Sequence, residues 1–123
     1  MSATVQEVAA LADVQKFFKE TDVDYTYGQC HNALTWLCIQ IKKADLPDYN
    51  IWLCVGEFAG NDHSWMQVED TNDESQTIID MTVDQFGVFK MPYVGPVCPG
   101  YEINHQILLS DQDNLAQFLS ELG

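Results

Sequence analysis

A thiol, an imidazole and a carboxylate follow one another at Cys30, His63 and Asp80, each in a setting that suits covalent catalysis. The segments are Tyr27-Gly-Gln-Cys-His-Asn-Ala-Leu34, His63-Ser-Trp-Met-Gln-Val-Glu69 and Thr77-Ile-Ile-Asp-Met-Thr82. A thiol deprotonated by a neighbouring imidazole, which a carboxylate orients in turn, attacks acyl carbons and forms an acyl-enzyme. His63 would serve as base toward Cys30 and later as acid toward the leaving group.

The elements must bring these groups together. A helix is predicted from Cys30 to about Lys43, because Cys30, Leu34, Leu37, Cys38 and Ile41 share one face. Lys42 and Lys43 suit the negative end of its dipole. At the opposite end the unpaired N–H groups and positive dipole favour a thiolate. Gly28 lets the backbone turn into the helix. The Cys30 N–H and the Gln29 side chain are candidates for an oxyanion hole, with Asn32 helping to hold the site. The plainer alternative makes Cys30 the first core residue of an amphipathic helix.

Two strands, His63–Glu69 and Gln76–Thr82, carry the other groups. A turn at Thr71-Asn72, or a symmetric loop over residues 70–73, sets His63 directly opposite Asp80, with β-carbons about 4.5–5.5 Å apart. An odd-length loop would put the two side chains on opposite faces. Asp80 lies between Ile79 and Met81, where a carboxylate needs a partner. Trp65 shares the face of His63, as core filling or as a shield for the cleft. His31, the sequence neighbour of Cys30, is expected to face elsewhere in a surface or supporting contact. His105 reads as structural.

Elsewhere, Thr4 and Glu7 form a capping box for a first helix running from Val5 to about Lys19. Glu20–Asp24 is a polar connection, Pro47-Asp48 a turn, Ile51–Phe58 a buried strand and Gly60-Asn-Asp62 a turn. Residues 86–91 read as a short strand or loop, and Pro92–Gly100 as irregular. Asn104–Leu109 suggests a strand. A final helix starts within Ser110–Asp113 and carries Leu115, Phe118, Leu119 and Leu122 as its stripe. The whole is an α+β domain spanning residues 1–123, an antiparallel sheet flanked by helices.

With 19 acidic against 5 basic residues the net charge is −14, which repels phosphate backbones and attracts basic peptides or protein surfaces. Direct nucleic-acid binding is therefore not expected. Neither a membrane span nor a secretory leader is legible, so a cytoplasmic location is expected. Cys38 and Cys54 sit in apolar runs as small hydrophobes, and Cys98 is uninformative. The four cysteines lack metal-ligand spacing, so neither metal nor cofactor is expected.

Gly28-Gln-Cys30, His63-Ser-Trp-Met-Gln-Val-Glu69 and Ile78-Ile-Asp-Met-Thr82 together resemble the transglutaminase-like branch of the papain-like cysteine enzymes. That resemblance covers roughly residues 25–86. It implies a cysteine, histidine, aspartate order, with Trp65 two residues after the histidine and Thr82 two after the aspartate. The chain departs from the family in its short domain and in the His-Asn pair after Cys30. It also lacks an acidic calcium-type loop. The short domain suits a phage or bacterial member. The expected activity is attack on an amide or thioester, with hydrolysis by a peptidase, isopeptidase or deamidase favoured over acyl transfer. A competing expectation is a non-catalytic acidic protein that mimics DNA and occupies a basic nucleic-acid-binding partner.

Overall fold

The computed structural model describes residues 3–24, 29–46, 50–69, 75–82, 93–97 and 99–122. Helices α1 (Ala3–Leu11), α2 (Val14–Thr21) and α3 (Cys30–Ala44) precede strands β1 (Ile51–Phe58), β2 (Asn61–Glu69), β3 (Gln76–Asp80), β4 (Tyr93–Pro96) and β5 (Tyr101–Leu108). Helix α4 (Gln112–Leu122) closes the order. The strands form one sheet, β4-β3-β2-β1-β5, antiparallel at every junction. The α+β class read from the sequence is the class observed. Among the described residues no helix is long and apolar enough to cross a membrane.

The first helical stretch departs from expectation. It is two helices, because Asp13 adopts an extended conformation (φ −94°, ψ 104°) and its side chain accepts from Lys16 N at 3.1 Å. A short acid satisfies a free N–H better as a cap than inside a helix, so it starts a new one. The break leaves Val5, Val8 and Phe17 buried in a single core. Helix α1 also begins at Ala3, ahead of the expected Thr4 cap.

Tyr93–Pro96 is the second departure, since Pro92–Gly100 was expected to be irregular. Proline is tolerated there because β4 is an edge strand and Pro96 its last residue. The β1–β2 turn falls at Ala59 and Gly60, both with positive φ, one residue earlier than Gly60-Asn-Asp62. The expected features at Gly28, Pro47-Asp48, residues 70–73, residues 86–91 and Cys98 lie outside the described residues.

Strand alternation builds two cores. On the helix side, Leu53, Met66, Val68 and Ile79 pack with Val8, Phe17, Leu37 and Ile41. On the other face Cys54, Trp65 and Ile78 pack with Trp52, Tyr93 and Tyr101. The strands are staggered where it matters for chemistry. β1 pairs with β2 from Asn61 to Val68, whereas β3 pairs with it only from Met66 to Glu69. The first half of β2 therefore runs on past the end of β3, and the mouth of α3 sits at that step.

One glycine holds this end of the sheet together. The β1–β5 register shifts between Val55 and Gly56, which face His105 and Ile103, so that Asn104 is the extra residue of a bulge. A β-carbon on Gly56 would lie 1.8 Å from the Glu102 carbonyl oxygen, a backbone atom held by its own ladder. Gly56→Ala is expected to cost about 1–3 kcal/mol or more, read as a lower urea midpoint. Gly60→Asn meets open space, but φ +85° strains any side chain, so it should lower the midpoint, by less than Gly56→Ala because Asn tolerates left-handed backbone best.

Candidate active site

Asp80 ends β3 with its side chain on the face of the smaller core, only 1 % exposed. Its carboxylate accepts three hydrogen bonds. His63 Nε2–H donates to Oδ2 at 2.6 Å, the Tyr101 hydroxyl donates to Oδ2 at 2.8 Å, and the Thr82 backbone N–H donates to Oδ1 at 3.0 Å. Such a set satisfies a buried acid that would otherwise be costly.

The contact is diagonal, whereas the sequence predicted direct opposition of His63 and Asp80. Met66 faces Ile79, so the same register carried one step further brings Trp65 opposite Asp80 and leaves His63 two residues away. The strands are thus slid by two positions. A slide of two preserves the face of every side chain, which is why the pair still meets. His63 has none of its surface exposed, and its ring stacks on Trp65 at 5.9 Å with 24° between planes. Trp65 both fills the smaller core and walls the imidazole; its Nε1–H donates to Gln67 Oε1 at 2.9 Å.

Cys30 is the first residue of α3, as predicted, and is 8 % exposed. Its side chain borders a small cavity with Ser64, Trp65, Asp80 and Thr82, at the step where β3 stops. Burial alone would raise the thiol pKa. Hydrogen bonds from His31 and His63, then the charges of the two rings, outweigh burial and bring it down to about 5. His63 is the mirror case. Burial favours its neutral form, but hydrogen bonds to Asp80 and Cys30 raise it to about 9. Nε2 is committed to Asp80, and Nδ1 is buried. Between those two values the favoured state is a thiolate beside an imidazolium.

Cys38 and Cys54 make the contrast. Burial pushes both thiols up to about 12, with no imidazole among the causes, and they behave as the buried hydrophobes expected. Gln29 caps α3 without a side-chain hydrogen bond to it, and Asn32 Nδ2 donates to Gln29 Oε1 at 2.8 Å. That bond ties the Gln29 side chain to the first turn of α3, and the Cys30 N–H is one of the helix-start groups with no intrahelical acceptor.

Two participants were not legible beforehand. His31 was expected to face elsewhere in a surface or supporting contact, yet its Nδ1 lies 2.9 Å from Ser64 Oγ, on the cavity that Cys30 borders, and its ring lowers the thiol pKa. The Cys30 contact raises the His31 pKa. Adjacent residues at a helix start need not diverge, because the first turn has no preceding turn to steer them. Tyr101 reaches Asp80 from β5, across Trp65 at 4.9 Å between ring centroids. The contact joins strands distant in the sheet order, which no local pattern encodes. His105 stands against Phe118 (5.4 Å between centroids), in keeping with a structural role.

The two pKa shifts have a direct readout in iodoacetamide alkylation followed by peptide mass mapping. The Cys30 rate is expected to climb through about pH 5 to a plateau, while Cys38 and Cys54 stay unlabelled in the folded protein. Asp80→Asn removes the main support of the His63 charge and should move the Cys30 rise to higher pH. Comparison with protein-family models, with curated proteins and with solved structures found no match for this chain.

Proposed function

We propose that the chain is a cysteine acyl-group hydrolase built on a transglutaminase-like core, with Cys30 as nucleophile, His63 as its base and Asp80 as the group that orients His63. The observation that carries this reading is the buried His63–Asp80 pair, Nε2 to Oδ2 at 2.6 Å, next to a Cys30 thiol whose pKa the imidazoles lower. The strong lowering of one thiol among three adds support.

The chemistry follows from the arrangement. The Cys30 thiolate attacks the carbonyl carbon of an amide or thioester. The oxyanion forms at the start of α3, where the Cys30 N–H is the candidate donor and Gln29, the residue before it, the candidate second one. The leaving group departs with a proton from an imidazolium, and water then cleaves the acyl-enzyme. With 19 acidic and 5 basic residues, a basic peptide or protein segment is the favoured substrate. The reading draws no step from a metal or cofactor. Expected reactions are those of a peptidase, isopeptidase or deamidase.

The test is turnover of a panel of lysine- and arginine-rich peptides that also carry glutamine, read by mass for cleavage or deamidation. Cys30→Ala should abolish turnover, and His63→Ala should lower kcat/KM by about 10²–10⁴. The pH profile of kcat/KM is expected to rise through about 5, as Cys30 loses its proton, and to fall at alkaline pH, as the imidazolium that protonates the leaving group loses its own. Turnover undiminished in Cys30→Ala would refute the assignment. Salt-sensitive binding to a basic protein, unaffected by that substitution, would favour the acidic-mimic alternative instead.

A further inference from the structure

We propose that His31, not His63, is the acid that delivers a proton to the leaving group, and that the groove along the outer side of α3 receives that group. The inference rests on the acyl-hydrolase reading above and assigns a division of labour within it. Its ground is access. His63 is wholly buried, with one nitrogen on Asp80 and the other buried as well, walled by Trp65. His31 is partly exposed, follows Cys30 at the start of α3, and is fixed at 2.9 Å by the Oγ of Ser64, a residue that borders the same small cavity as Cys30. Ser64 is itself buried, so the anchor is rigid.

The groove gives His31 something to face. His31 lines it together with Gln29, Asn32, Trp36 and Ile39 of the α3 region and Leu119 of α4. Ile39 is 48 % exposed, an unusual degree for a large apolar side chain on an otherwise packed helix. Gln29 and His31, which flank Cys30 in the chain, both line the groove, so it opens next to the start of α3 that carries the thiol. A group leaving the tetrahedral carbon on that side meets His31 before bulk water. The groove's apolar, amide and hydroxyl walls fit an apolar side chain on the leaving-group side of an otherwise basic peptide.

The step balances as follows. The Cys30 sulfur bonds the carbonyl carbon, and the bond from that carbon to nitrogen or oxygen breaks. The electron pair leaves with the departing atom, which takes the proton held by His31. Neutral His31 then accepts a proton from the incoming water as its oxygen bonds the carbonyl. The carbon–sulfur bond breaks, and the thiolate returns.

Two acetyl donors separate the roles. p-Nitrophenyl acetate releases a phenolate that needs no proton, whereas trifluoroethyl acetate releases an alkoxide that does. Formation of acetyl-Cys30 is followed by intact mass. Each rate is divided by the iodoacetamide rate of the same variant, which corrects for altered thiolate content. In His31→Gln the corrected rate with trifluoroethyl acetate should fall by about 10²-fold, and that with p-nitrophenyl acetate should barely change. Ser64→Ala, which frees the ring, should show a smaller loss with the same donor dependence. Equal corrected losses with both donors, or no loss with either, would overturn the assignment. Failure of the underlying reading looks different: wild-type protein would then form no acetyl-Cys30 with either donor, and both proposals would fall.

Discussion

A carboxylate buried between strands cannot stay there alone, and Asp80 governs what surrounds it. Removing one partner of a buried charged pair costs about 3–5 kcal/mol, because the remaining charge loses its compensation. Asp80 spreads that requirement over three donors from different places: His63 on β2, Tyr101 on β5 and the backbone just beyond β3 at Thr82. Its oxygens therefore fix the relative positions of three strand ends. The stacking of His63 on Trp65 and of Trp65 against Tyr101 follows from the same constraint. A smaller aromatic core forms around an ionic centre, on the sheet face away from the helices.

The electrostatics of the site run against those of the molecule. A net charge of −14 disfavours any further anion, and a thiolate is one. The opposing influence is short-ranged. Two imidazoles act on the Cys30 thiol from close by, whereas the excess carboxylates act through solvent, where their field decays within about 8–10 Å. The three described cysteines share one covalent chemistry and nearly one degree of burial. They differ in whether a ring donor is in contact, and that difference separates a thiol at about 5 from two at about 12. Contact with donors, rather than exposure, decides which sulfur is ionised.

What the sequence made legible was parity and local pattern. Cys30 at a helix start, strand β1 from Ile51 to Phe58, and a shared face for His63 and Asp80 all follow from periodicity. The register did not follow, since Met66 rather than Ser64 faces Ile79. Hydrophobic alternation repeats every two residues, so it cannot tell one register from another displaced by two. Asp13 was hidden for a different reason. The apolar spacing of Val5, Val8, Ala12 and Phe17 continues across the break, and a single cap outweighs it. Tyr101 and His31 depend on tertiary placement, one across the sheet and one across a helix start. Composition and spacing carry no signal for either.

Taken together, the groups form a line in which acceptor and donor alternate: the Asp80 carboxylate, the His63 ring, the Cys30 sulfur, the His31 ring and the Ser64 hydroxyl. In such a line each member sets the proton affinity of the next, so a perturbation at one end is felt at the other. Asp80 raises His63, and a charged His63 lowers Cys30; an ionised Cys30 in turn raises His31. The line also runs from inside to outside. Its carboxylate end is sealed by Tyr101 and Trp65, and its far ring is partly open to a groove. Among the described residues the partly open end of the line is on the His31 side. The buried half then serves to keep the sulfur ionised while the open half meets what arrives from solvent. A fold of this size can separate those tasks because β3 stops short of β2, leaving a step wide enough for a helix mouth to bring a second imidazole to the same sulfur.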